Sequence, residues 1–167
     1  MNKKENIQTS RYTNFDLPYW RYIPKYEQHP DKTPNRIHIP LLPESTLKFS
    51  EKTWQKSERY LYAIDLFNHK YYWEVHEVLE KIWLENNKNS KCSIFIQGII
   101  QLSVALLKEI EDNKVGFNRL TKKSFLKLKT QKGIFLGIKI EDLINQHNSF
   151  IKGEIEHALI ILTFNRQ

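Results

Sequence analysis

The rhythm of apolar and polar positions changes near Ser50. Beyond it, apolar residues recur at the three-to-four spacing of amphipathic helices. Trp54, Leu61, Ile64 and Phe67 mark the inward side of a first helix, which Ser50 is placed to cap. Asn68-His69-Lys70 makes a tight link, with Asn68 as a helix-end or turn residue. A second helix follows and ends near Asn86, and residues 86–90 form a loop. Ser93 to Lys108 is apolar on nearly every side, which marks a central buried helix. Gly98 within it permits close approach of a neighbour. Val115 to Thr130 repeats Phe117, Leu120, Ser124 and Leu128 at helical spacing. Gly133 and Gly137 break the pattern, and Ile140 to Ile151 is a shorter helix. Glu154 to Phe164 is apolar and partly β-branched. It reads as a last helix, with a strand as the alternative. The pattern predicts an all-α fold, an antiparallel bundle of about five or six helices.

Upstream of Ser50 the chain is different in kind. All six prolines lie between Pro18 and Pro43, and all five glycines follow Gln97. Prolines so spaced deny the region long helices. Its aromatic residues, Tyr12, Phe15, Tyr19, Trp20, Tyr22 and Tyr26, argue against a free disordered tail. The expected organisation is an arm, residues 1–49, packed on a helical domain, residues 50–167.

Composition narrows the class. A chain of 167 residues, 40% hydrophobic and 27% charged, can build one domain with a real core. The single cysteine, Cys92, excludes an internal disulfide framework and a cysteine-based zinc site, and fits a reducing cytoplasm. The N-terminus has no apolar segment of signal-peptide type. The longest apolar stretch, Ile94 to Leu107, is too short to span a bilayer, so no membrane partner is expected. Part of the net charge of +7 clusters at Lys122, Lys123, Lys127, Lys129 and Lys132. Such a cluster admits a nucleic-acid contact. A solvated helix face is the simpler account, since no aromatics are regularly interleaved for base stacking.

The densest chemistry lies on the second helix. With His76 at zero on a helical wheel, Glu80 falls at about 40°, Trp83 at about −20°, Trp73 at about 60° and Leu79 at about −60°. The wheel therefore sets the imidazole and the carboxylate inside the apolar face. Glu74, Lys81 and Glu85 take the far side and Glu77 the margin. A buried polar group without a partner costs a few kcal/mol, so His76 and Glu80 are expected to satisfy each other, a neighbouring helix or a bound ion. Residues four apart on one face can ligate one divalent ion, with Glu77 beside them as a general base. A zinc site needs a third protein ligand, and His69 or His29 is a candidate that spacing does not demand. Gln97 and Gln101, four apart on the third helix, would meet this pair if the helices pack. Asp65 is a candidate to orient His76 or His69. Trp73 and Trp83 either pack or wall a pocket. Ser–His–Asp and Cys–His catalysis find no local support, and there is no glycine-rich phosphate loop. Cys92 beside Lys91 reads as a packing residue, with thiol activation the alternative.

At these residues the chain resembles the family known as domain of unknown function 309. Its signature, His-x3-Glu-x2-Trp/Tyr, is matched by His76, Glu80 and Trp83. Asp65 to Asn68, Tyr71, Glu74 and Glu77 are similar to the segment leading into that motif. Phe95 to Leu102 and Val115 to Leu120 are similar to its later blocks, and Pro18 to Pro24 with His29-Pro30 to an arm found in some members. Lys70 stands where glycine is usual and Val75 where alanine is usual, so the turn before the motif is expected to differ. The resemblance implies an all-helical domain and a metal-binding motif, and some members are labelled predicted metal-dependent hydrolases. Two readings follow: a metal-dependent hydrolase with His76 and Glu80 as ligands and Glu77 as base, or a non-catalytic interaction module with a hydrogen-bonded core.

Overall fold

The computed structural model describes residues 47–164. The expected docking of the arm falls on residues outside these, apart from Phe49, which packs against the core. Five helices follow in order: α1 (Glu58–Asn68), α2 (Tyr72–Glu85), α3 (Lys91–Ile110), α4 (Lys114–Leu128) and α5 (Ile140–Ile151). A small antiparallel hairpin, β1 (Ile134–Phe135) and β2 (Ile138–Lys139), precedes α5. The fold is the expected all-α bundle. α3 packs on both α2 and α4, and α1 packs on α2. The short links from α1 through to α4 make each consecutive pair of these four helices antiparallel neighbours.

α1 starts later than expected. Its cap is Ser57, whose side chain accepts from the Tyr60 amide, and Trp54–Lys56 forms a separate 3-10 turn. Trp54 and Leu61 are two turns apart, so periodicity alone steps over the break between them. Every residue from Tyr60 to Asn68 is buried, so α1 shares with α3 the centre of the molecule. α3 itself is longer than its apolar stretch. Over Lys91–Ile110 it is long and apolar enough to cross a membrane by length and composition, and more than half of it is buried in the bundle.

α3 and α4 meet at Gly98, as expected. A Cβ there would lie 3.0 Å from the Leu128 side chain, and the Ser124 hydroxyl donates to the Gly98 carbonyl at 2.7 Å. Past the last helix the chain departs from the expected final helix. Residues 154–164 include no helix. Leu162 bridges Ile138, and the Thr163 amide donates to the Gly137 carbonyl at 2.8 Å. Ala158, Ile160, Leu162 and Phe164 are buried, whereas Leu159, Ile161 and Thr163 are not. That is the two-residue period of extended chain. The sequence hides it because the outward positions are also partly apolar.

Candidate metal centre

α2 is built around a different face from the one the wheel suggested. Its buried residues are Tyr72, Glu74, Val75, Val78, Leu79 and Ile82. Their centre lies about 110° from His76 and about 150° from Glu77 and Glu80, so all three stand off the packed face. They are half-buried, with side-chain exposures of 24% for His76 and 34% for Glu77. The expectation that His76 and Glu80 are largely buried is corrected accordingly. The tryptophans misled it: Trp73 and Trp83 are half-buried boundary residues, their rings covering apolar surface while one edge stays wet. Glu74, expected outside, is buried at 4%. Glu85 is exposed as expected.

This side of α2 still brings chemistry together. One ligand atom from each of His76, Glu77 and Glu80 lies within 4.8 Å of the others. His76 Nδ1 is 3.3 Å from Glu77 Oε1, yet the geometry is not that of a hydrogen bond and Nδ1 is a buried atom without one. The Trp73 ring lies 5.4 Å from the imidazole. No hydrogen bond joins His76 to Glu80 among the described residues.

The other candidates are dispersed. Gln97 and Gln101 are half-buried on α3, and among the described residues neither is hydrogen-bonded to His76, Glu77 or Glu80. The Gln101 Oε1 is buried without a partner, as is Trp83 Nε1, while Lys88 Nζ sits 4.7 Å over the Trp83 ring. The Asp65 side chain is buried, and its backbone carbonyl is 2.8 Å from His69 Nδ1. His69 thus belongs to the end of α1. It lies near His157 on the C-terminal segment, whose imidazole is lowered by burial first, then by the neighbouring Lys70. Burial pushes the Cys92 thiol up, assisted by Glu51, the reverse of an activated thiol.

Two polar residues outside the motif organise the fold. Asn68 is more than a helix-end residue: its amide donates to the Ile160 carbonyl at 2.9 Å and accepts from the Ile160 amide at 2.8 Å. It clamps the C-terminal segment to α1. The sequence signal was an asparagine inside an otherwise apolar helix end, which calls for partners. His147 on α5 is fully buried among Phe117, Phe125 and Phe150, with Thr121 Oγ1 3.3 Å from Nε2.

Fold and site together define a helical bundle whose second helix carries a histidine and two carboxylates converging at one point. A family profile described as Domain of unknown function (DUF309) matches residues 60–120. This stretch, from within α1 through the first half of α4, is similar to that family and holds the whole cluster. No curated protein matches the chain.

Proposed function

We propose that His76, Glu77 and Glu80 bind one divalent cation, at a site that serves a metal-dependent hydrolase. The observation that supports this is the convergence of the three donors within 4.8 Å. Two carboxylates held that close repel unless a positive charge joins them. One imidazole nitrogen and two carboxylate oxygens suit zinc, manganese or iron. The buried Nδ1 of His76, lacking a hydrogen bond, is also in keeping with a missing partner. A divalent ion at such a site supplies Lewis acidity for hydrolysis. Glu77 is then either the third ligand or the base that takes a proton from water, while Glu80 and His76 hold the ion from one side. The alternative, a hydrogen-bonded core without metal, expects His76 and Glu80 to bond to each other and to be sealed, and the geometry favours neither.

The test is metal content of the full chain purified without chelator, together with melting curves. At a metal concentration 100-fold above Kd, binding stabilises by about 2.7 kcal/mol, a rise in Tm of roughly 5–10 °C. His76→Ala should abolish the rise. Glu77→Gln should keep it if Glu77 is the base and lose it if Glu77 is a ligand. A wild-type curve indifferent to zinc, manganese and chelator would leave the hydrogen-bonded reading.

A further inference from the structure

The stretch from Lys114 to Lys139, α4 and the hairpin after it, carries charge of one sign. It contains eight basic residues and no acidic one, more than the net charge of the whole chain, +7. Lys139 pairs with Asp142 at 3.0 Å. None of the other seven makes an ion pair among the described residues. The core side of α4 is taken by Phe117, Thr121, Ser124 and Leu128, all buried. Arg119, Lys122 and Lys123 stand exposed on the other side, with Lys129 and Lys132 exposed beyond the end of the helix. Like charges three and four residues apart on a helix repel. Among the described residues no ion pair offsets that repulsion, and Glu141, which lines the cleft shared by Lys129 and Lys132, is the acidic residue beside them; an external polyanion would offset it.

The character of the face selects among polyanions. A single strand is held by aromatic platforms. On α4 the aromatic residues are Phe117, which is buried, and Phe125, which is half-buried. A helix lying in a bilayer surface needs a free apolar face. The apolar face of α4 is used against the bundle, leaving only Val115 at 81% exposure and Leu126 at 74%. A duplex requires only neutralisation of its backbone. The major groove of B-DNA, about 12 Å wide, admits a helix, whereas that of A-form RNA does not. α4 has 15 residues, so at about 1.5 Å per residue it spans the groove from one phosphate strand to the other.

We propose that the exposed face of α4, continued by Lys129 and Lys132, docks on the phosphate backbone of duplex DNA without sequence preference. The experiment is fluorescence anisotropy of the full chain with two unrelated short DNA duplexes, titrated with salt. If five phosphates are neutralised, log K falls against log salt with a slope of about −4.5, a loss of about 500-fold between 50 and 200 mM. The variant R119A/K122A/K123A should reduce the slope to about −2 with an unchanged circular dichroism spectrum and Tm. The control K52A/K56A/K91A removes the same charge from exposed lysines elsewhere and should leave the slope where it was. The proposal is overturned by absence of binding at low salt, by equal losses in variant and control, or by a strong preference for one DNA sequence. Tighter binding to duplex RNA, to single strands or to phosphatidylserine vesicles overturns it as well.

Discussion

Lys70 adopts a φ of 66°, in the left-handed region where a side chain crowds the backbone. The reason is the way α1 stops. The Tyr71 amide donates to the Leu66 carbonyl at 2.9 Å and the Lys70 amide to Phe67 at 3.0 Å, a Schellman ending with Lys70 at its left-handed position. Asp112, φ 54°, and Gly153, φ 73°, end α3 and α5 in the same way. The turn before the motif is therefore the one glycine would make, and the lysine adopts it under strain. Lys70→Gly should relieve about 1–2 kcal/mol of left-handed strain. Part of this is offset by the greater entropy of glycine in the unfolded chain. The expected net gain is at most about 1 kcal/mol, read as a rise in Tm; a fall would show that the lysine side chain holds contacts worth more than the strain. The neighbouring cluster at His76, Glu77 and Glu80 was legible in the spacing. Its position off the packed face was not, because a wheel scores Trp73 and Trp83 as core although each is only half-buried.

At the scale of elements, the helices were legible because their apolar positions repeat every three to four residues. What joins them was less so. Residues 158–164 are extended because their backbone is held from outside, by Gly137, Ile138 and the Asn68 amide. The tight fit around Gly137 also depends on its partner, since a Cβ there would lie 2.3 Å from the Trp54 ring. Asn68→Ala removes both bonds to Ile160 and leaves two buried backbone groups unsatisfied, a cost of about 2–4 kcal/mol. Amide exchange at Ile160 and Leu162 should accelerate more than at α3. Uniform acceleration across all helices would mean that the segment does not open separately and that Asn68 acts only through global stability.

For the whole molecule, pH acts through buried histidines. Burial lowers the His147 imidazole to about 4, so the folded chain keeps it neutral. The unfolded chain protonates it near 6.5. As pH falls from 6.5 to 4 the unfolded state binds the additional proton, and stability declines by up to about 3 kcal/mol over that window. Below it both states are protonated and this group adds no further loss. His157, also lowered by burial, works in the same direction. His147→Phe should flatten the dependence between pH 6.5 and 4 in chemical denaturation. An unchanged slope would assign the acid sensitivity to other groups. The cleft of about 590 Å³ lined by Lys129, Lys132, Ile140 and Ile144 lies at the basic end of α4 and not beside His76, so the two proposed surfaces can be examined by separate substitutions.

The sequence by itself determined the class of fold, the order of the helices, the close contact at Gly98 and the residues of the candidate site. All of these rest on local periodicity or on side-chain chemistry within one helix, which distance along the chain encodes directly. Only the tertiary structure decided which face of α2 is buried, where α1 begins, that Glu74 goes inside, and that the last segment is extended. Each of these depends on partners remote in sequence: the helices flanking α2, the Trp54 ring against Gly137, the Asn68 amide against Ile160. Helical periodicity reports that a face is apolar, but burial is settled by the neighbour that covers it.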